Sequence, residues 1–197
     1  NTKEEARGMK DHKVDWAGLR VRDGVGMDPG PIRDMLRAPD SGSGDEAYWR
    51  IEGTAFYSHE LEEASEPLTQ ILIDAVCDGD GTPLGLMHAT DMLVEITCGY
   101  TSPHEEEAGS AGLADRCRAI VRHRLPCLYR LVDDTTDDIV LSHLFLFVVQ
   151  VDDDNTARRA FLEKVSHREL GKPSRNALHW CLVEEYGQDH QKGDQDP

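Results

Sequence analysis

Helical periodicity in the stretch 64–151 constrains the fold of this chain more than any other feature. Apolar residues recur there at the spacing of buried helix faces, in segments separated by polar turns. Thr82 precedes one long apolar segment, where it suits the N-cap, and Pro83 suits the first helical position. Thr135-Thr136 precedes a second such segment, and Gly99 can end the first one in a left-handed conformation. The stretch therefore predicts alternating antiparallel helices.

The spacing of these segments predicts an all-α fold, a right-handed α-solenoid of about four antiparallel helix pairs. The second helices of the pairs are expected at 45–57, 82–98, 135–151 and 174–186. Their separation lies near the roughly 40–47 residues of helical-hairpin repeats. A β-strand is the competing interpretation of 139–151, because Phe145–Val149 is rich in strand formers. The length and the polar start of that segment favour a buried helix.

The same patterns divide the chain into three parts: a flexible N-terminal arm at 1–12, a helical-repeat domain at 13–186 and a disordered acidic tail at 187–197. Val14–Val21 is expected to form a short leading helix, and the Gly/Ser-rich segment Ala38–Gly44 is expected to form a flexible loop. Pro67 and Pro126 are expected to bend or break the helices that contain them, because proline removes a backbone hydrogen bond.

Acidic residues outnumber basic ones, with 38 Asp and Glu against 21 Lys and Arg, for a formal net charge of −17. Such a surface repels nucleic acid and anionic lipid, and it speeds encounters with basic proteins. The alternative is that the acidity serves solubility alone.

Five cysteines are scattered singly through apolar patterns, with no Cys-x-x-Cys spacing. They are expected to be buried free thiols in a reducing compartment. The sequence shows no signal-peptide pattern, and the apolar run 139–151 is too short to span a bilayer. We therefore expect a cytoplasmic protein that has no membrane partner.

Several short blocks of the sequence match a pattern known from other proteins: Val14–Arg20, Ile51–Ala55, Glu63–Leu68, Leu93–Ile96 followed by Gly99, and Leu125-Pro126. Together they resemble small bacterial HEAT-repeat-like proteins over roughly residues 14–151. The resemblance implies a curved all-helical solenoid that acts by binding proteins, and some members of the group accompany toxins as immunity factors. The chain departs from the group at 38–44, and its last helix pair, 155–186, matches weakly.

Acidic clusters flank the helix expected at 135–151 and would lie along one edge of a solenoid. Together with three aromatic residues they form the predicted partner-binding set: Asp133, Asp134, Asp137, Asp138, Asp152, Asp153, Asp154, Trp49, Tyr57 and Tyr100. The acids would steer a basic partner, and the aromatic side chains would anchor it. Carboxylates in a first helical turn also have a simpler role, because they favour the helix dipole. The expected function is that of a non-catalytic protein-binding module, an immunity or inhibitor protein that occludes a basic partner such as a toxin.

Histidines and carboxylates on the expected concave face form an alternative site. His88, Asp91 and Glu95 share one stripe of the helix 83–98, and His143 lies on the following second helix. If the helices stack in register, such groups would suit acid–base catalysis or Zn²⁺ binding. The simpler interpretation is a polar helix face of singly hydrogen-bonded side chains. No catalytic or metal-binding motif is present, so we expect no cofactor and no metal, and favour a protein without enzymatic activity.

The basic run Arg116–Arg124, with Arg130, is the dense positive patch of the sequence. It would grip phosphate in a HEAT-like nucleic-acid-repair module. The simpler interpretation is neutralisation by acids that lie close in sequence, at 105–107, 133–134 and 137–138. The net charge favours neutralisation, so nucleic acid is not the expected partner.

The predicted acidic edge can be tested by replacing Asp133, Asp134, Asp137 and Asp138 with Asn. The variant is expected to associate more slowly with a basic partner and to show a flatter dependence of the on-rate on salt, because long-range attraction is reduced. Stopped-flow association at several ionic strengths measures both effects. An on-rate equal to that of the wild type would contradict steering by these loops.

Overall fold

The computed structural model of the chain describes residues 13–192 and is mostly helical, which confirms the expected all-α class. The expected arm at 1–12 and the last part of the expected tail, 193–197, lie outside the described residues. The final helix extends to Lys192, into the segment expected to be a disordered tail. In the part of the chain that is described, no helix is both long and apolar enough to cross a membrane.

The helices are α1 Gly30–Leu36, α2 Ser41–Ala55, α3 Ser65–Asp78, α4 Pro83–Cys98, α5 Pro103–Glu107, α6 Leu113–Arg122, α7 Leu125–Asp134, α8 Asp138–Val151, α9 Asn155–Ser166 and α10 Lys172–Lys192. The strands are β1 Arg20–Val21, β2 Gly24–Val25, β3 Phe56–Tyr57, β4 Glu60–Leu61 and β5 Tyr100–Thr101. The first two strands form an antiparallel hairpin. In the second sheet, β4 pairs antiparallel with β3 and parallel with β5.

Helix α4 lies at the centre of the fold. It contacts α2 on one side and α8 on the other, and α8 in turn contacts α10. It also packs against α1, α3 and α6. Its apolar residues are accordingly buried: Ala89, Met92, Leu93 and Ile96 have no exposed surface. These contacts place the polar stripe of α4 between two neighbouring helices.

The start of α4 follows the sequence prediction. The Thr82 hydroxyl accepts the N–H of Gly85 at 3.0 Å, and Pro83 occupies the first turn. Thr82 also ties the helix to the end of α1, because its N–H donates to the Leu36 carbonyl at 2.9 Å. The end of α4 differs from the prediction: Gly99 is extended, with φ −73°, rather than left-handed.

Helix α8 confirms the helical interpretation of 139–151 against the strand alternative. Phe145 and Phe147 are fully buried within it. Asp137 caps this helix by accepting two backbone N–H groups. A carboxylate at this position also gains from the positive end of the helix dipole.

Four further expectations were wrong for local reasons. The segment 14–21 contains turns and strand β1 instead of a leading helix, because β1 pairs with β2. The expected loop 38–44 contains the start of α2, which Asp40 caps by accepting the Ser43 N–H. Pro67 does not bend α3, since it lies in the first turn, where a proline costs no hydrogen bond. Cys98 is exposed rather than buried.

The polar segment 100–112 contains β5, α5 and a buried carboxylate. Glu105 is fully buried and accepts both Nε and Nη2 of Arg20, at 2.9 Å and 2.8 Å. Arg20 also lies 3.3 Å from Glu63 and donates to Ser110. Hydrogen bonding to Arg20 lowers the pKa of Glu105 against the opposing effect of burial. This two-pronged ion pair joins the N-terminal hairpin to the middle of the chain.

Close packing between α1 and α4 should make Gly85 irreplaceable. A Cβ at Gly85 would lie 2.3 Å from the Leu36 carbonyl oxygen, which is backbone and cannot rotate away. Gly85→Ala is expected to lower the free energy of unfolding by about 1–3 kcal/mol, the usual cost of overpacking. Urea denaturation with a shared m-value measures the change.

Gly53→Ala is the matched control, since a Cβ on this α2 residue would meet nothing within 4 Å. That change is expected to raise the free energy of unfolding by about 0.5 kcal/mol, because alanine loses less backbone entropy than glycine. Equal midpoints for the two variants would contradict the packing described for α4.

Candidate functional site

A polar groove lies between α2 and α4, with a cavity volume of about 320 Å³. The residues that line it are Asp45, Tyr48, Trp49, Glu52, His88, Asp91 and Glu95. We call this set the acidic groove. Carboxylates predominate in the lining, which contains neither Lys nor Arg. The acidic groove therefore concentrates negative charge in one concave place.

Helical spacing builds both walls of the acidic groove. His88, Asp91 and Glu95 follow one another at i, i+3 and i+7 on α4, as the sequence predicted, and line the cavity together. Asp45 and Glu52 stand seven residues apart on α2, with Trp49 between them. The sequence analysis missed the two α2 acids, although the same spacing argument applied to α2 would have found them.

The fourth predicted residue of the alternative site, His143, meets the α4 stripe from α8. Its Nε2 lies 3.3 Å from Asp91 Oδ1, and its Nδ1 lies 3.0 Å from the Thr90 hydroxyl. Burial lowers the pKa of His143, and Asp91 only partly opposes that effect. The ring is therefore neutral at pH 7. The predicted approach of the two helices in register brings His143 to the edge of the groove.

The carboxylates of the acidic groove are poorly compensated. Burial raises the pKa of Glu52, and the nearby charges of Glu95 and Asp91 raise it further. Burial also raises the pKa of Glu95, although His59 lies 3.1 Å from it. Negative charge in this groove is therefore less stable than in water, and a bound cation would offset that cost.

Two ring side chains complete the floor of the groove. Burial raises the pKa of Tyr48 above its ordinary value. The charge of Asp91 and a hydrogen bond to Asp91 raise this pKa further. His88 is 7 % exposed, and its Nε2 has no hydrogen-bond partner. The nearest acid, Asp45 Oδ1, lies 3.5 Å away, beyond good hydrogen-bonding distance. His88 approaches α2 this closely only because Gly44 has no side chain, as a Cβ there would lie 2.8 Å from Nε2.

Three of the predicted loop acids are bonded to backbone within the chain. Asp137 and Asp154 cap α8 and α9, each accepting two N–H groups. Asp138 accepts the Ser174 hydroxyl and the Gly171 N–H, and the Ser174 hydroxyl contributes most to lowering the pKa of that carboxyl. These carboxylates shape helix ends, as the simpler interpretation of the acidic loops predicts.

The remaining loop acids differ in their environment. Two pair with basic side chains: Asp133 with Lys164 at 2.6 Å and Asp153 with Arg122 at 2.9 Å. Asp152 is buried, and Asp134 is exposed. The predicted acidic edge thus carries less uncommitted charge than its sequence indicates.

The three predicted aromatic anchors are all exposed, with 65 % of Trp49, 46 % of Tyr57 and 53 % of Tyr100 accessible. Trp49 lines the acidic groove. The two tyrosines lie on β3 and β5, the outer strands of the three-stranded sheet. His59 joins this sheet to the groove, because its carbonyl accepts the Tyr100 N–H while its ring contacts Glu95.

The basic run on α6 is neutralised, as the simpler interpretation predicted, but by other acids than expected. The ion pairs are Arg116 with Glu66, Arg118 with Asp115, Arg122 with Asp153, and Arg124 with Asp74. Packing against α3 brings Glu66 and Asp74 to the basic run. Closeness in sequence did not identify the acids that pair with these arginines, because a salt bridge requires closeness in space only.

One cluster of potential metal ligands occurs among residues 13–183, formed by Glu62, His104 and Glu105 within 4.8 Å of one another. Glu105 already accepts the Arg20 guanidinium and further donors from Ser110 and the Glu63 backbone. Its lone pairs are committed, and Arg20 places a positive charge beside any ion. Two ligands would remain, fewer than a stable zinc site uses.

Comparisons with protein-family models, with curated proteins and with solved structures found no match to this chain.

Removing one groove carboxylate should stabilise the fold. Glu52→Gln is expected to raise the free energy of unfolding at pH 7 by about 0.5 kcal/mol, discounted for solvent screening. The folded-state pKa of Glu52 lies above its unfolded value, so the charged form costs stability above that folded pKa. The gain should therefore vanish as the pH falls below the ordinary glutamate pKa near 4.5. Urea denaturation at pH 7 and pH 4 measures it.

Glu46→Gln, at an exposed α2 position outside the groove lining, is the control and is expected to leave stability unchanged. Equal effects of the two substitutions would contradict charge strain in the groove.

Proposed function

We propose that the chain is a HEAT-like α-solenoid that binds a basic protein, with the acidic groove as the main contact surface. One observation carries the proposal: a concave site holds four carboxylates and an exposed tryptophan, with no lysine or arginine in its lining. Partly buried carboxylates with no lysine or arginine beside them favour a cationic ligand. A basic partner protein supplies cationic groups at high local concentration.

Helix packing supports the solenoid. Helices α2, α4, α8 and α10 contact one another in succession, and each is preceded by a helix that packs against it: α1, α3, α7 and α9. Helix pairs that contact only their neighbours are the defining feature of α-solenoids. In this arrangement α2, α4 and α8 present the acidic groove and His143 on one face.

The net charge of the chain and its exposed aromatic side chains support a basic protein as the partner. A formal charge of −17 attracts basic proteins over long distances, and the attraction weakens with salt. Trp49, Tyr57 and Tyr100 supply exposed aromatic surface near the groove, of the type that anchors protein interfaces. Binding there would cover a basic surface of the partner, which is how an immunity or inhibitor protein occludes a toxin.

The contact series Thr90–His143–Asp91 favours a second candidate, an enzyme that uses a hydroxyl, an imidazole and a carboxylate. Its weakness is the hydroxyl: Thr90 is 1 % exposed, and its Oγ lies 2.8 Å from the Met87 carbonyl. Thr90 lines an apolar cavity of about 280 Å³, but its hydroxyl already donates to the Met87 carbonyl, which competes with activation by His143. Protein binding is the better-supported function.

Partner capture with charge-matched variants tests the proposal. The full chain is immobilised, exposed to an extract of its source organism at low salt, and eluted with a salt gradient. The groove variant is Glu52→Gln with Glu95→Gln, and the control is Glu46→Gln with Glu107→Gln, both at exposed positions outside the groove. Both variants lose the same charge, so long-range steering is equal and only the local site differs.

We expect a basic protein to bind the wild type and the control, and to bind the groove variant at least tenfold more weakly. That factor corresponds to about 1.4 kcal/mol and is modest for the loss of two charged hydrogen bonds. Equal retention by the groove variant would contradict the acidic groove as the contact surface.

A further inference from the structure

The ligand of the acidic groove must span carboxylates that do not converge on one point. Among the described residues, no three groove acids or histidines place their ligand atoms within 4.8 Å of one another. A metal ion requires such convergence, since its ligands stand about 2–2.5 Å from one centre. An ammonium group also requires it, because its acceptors lie about 2.8 Å from a single nitrogen in a tetrahedral arrangement and thus about 4.6 Å apart. The acidic groove therefore suits a larger cation.

A guanidinium group has the required size and shape. Its nitrogens fan out in one plane, so that acceptors bound on opposite edges stand about 7 Å apart. Glu52, Asp91 and Glu95 line the same cavity, where the charges of Glu95 and Asp91 add to burial in raising the pKa of Glu52, yet the three carboxylates remain spread out. Each can accept N–H groups from a different edge of a guanidinium plane.

Trp49 provides a surface for the face of that plane. The indole is 65 % exposed and lines the same cavity as the carboxylates. Guanidinium groups stack on indole rings, whereas an ammonium makes only a point contact. The combination of an aromatic face with separated carboxylates is specific to a planar cation.

His88 supplies a second, independent sign that a ligand is missing from the groove. Its side chain is 9 % exposed, it lines the cavity, and its Nε2 has no hydrogen-bond partner. Buried polar atoms of this kind are normally satisfied. The nearest acid, Asp45, stands 3.5 Å from Nε2 and is 58 % exposed, so it leaves this nitrogen without a good hydrogen bond.

We infer that the acidic groove binds the guanidinium of an arginine side chain presented by the basic partner, stacked on Trp49 and held by Glu52, Asp91 and Glu95. The inference rests on the proposed function and names the group that the groove recognises. Two histidines, His59 and His143, border the site. The four groove carboxylates outnumber them, so the net charge of the site stays negative at pH 7, where the His143 ring is neutral.

Titration of the full chain with blocked amino acids tests the inference without a partner. The probes are Nα-acetyl-arginine N-methylamide, its lysine counterpart and free arginine. The readout is the indole N–H resonances of the chain's tryptophans, Trp16, Trp49 and Trp180, in which Trp16 and Trp180 serve as internal controls. We expect blocked arginine to shift the Trp49 signal with a millimolar Kd, and blocked lysine to bind at least fivefold more weakly.

Variants locate the binding. Glu52→Gln with Glu95→Gln is expected to weaken blocked arginine at least tenfold, whereas Glu46→Gln with Glu107→Gln should leave its Kd unchanged. Equal binding of lysine and arginine, unchanged affinity in the groove variant, or no shift of Trp49 would each overturn the inference. Free arginine bound tenfold more tightly than blocked arginine would also overturn it, in favour of a small-molecule site.

The two proposals fail separately. Loss of partner capture in the groove variant, without any binding of blocked arginine, would leave the protein-binding function standing and remove only the arginine inference. Binding of blocked arginine together with unchanged partner capture would contradict the groove as the partner's contact surface.

Discussion

Close packing around helix α4 is the constraint on which the rest of the structure depends. Helices α1, α2, α3, α6 and α8 pack against α4, and its first turn approaches α1 so closely that Gly85 has no room for a side chain. The residues Ala89, Met92, Leu93 and Ile96 of α4 are therefore fully buried. The polar stripe with His88, Asp91 and Glu95 lies between α2 and α8, where it forms a groove instead of an open surface.

The acidic residues of this chain fall into two groups with different energetics. Carboxylates at helix ends and in ion pairs, such as Asp137 and Glu105, are stabilised by N–H donors or by arginine. Those of the acidic groove have burial and like charges as neighbours, which raise the pKa of Glu52 and Glu95. Groups that cost stability in the free protein are typical of binding surfaces, because a bound ligand can supply the compensating charge that the fold lacks.

Sequence reasoning succeeded where the relevant interactions are local. Thr82 caps α4 through the N–H three residues later, and the helical stripe of α4 follows from its spacing alone. Errors arose where two local solutions compete: the pairing of β1 with β2, for example, displaced the helix expected at 14–21. Single-residue preferences at such boundaries differ by too little energy to decide.

The sequence by itself determined the helical class, the long apolar helices α4 and α8 and the excess of acidic residues. Helix formation depends on contacts within about four residues, which a sequence displays directly. Only the tertiary structure decided that Asp45 and Glu52 of α2 line the groove, and that Arg20 pairs with Glu105, 85 residues away. Such pairings depend on how helices pack, because their free energy arises from burial and contact between segments that are distant in the chain.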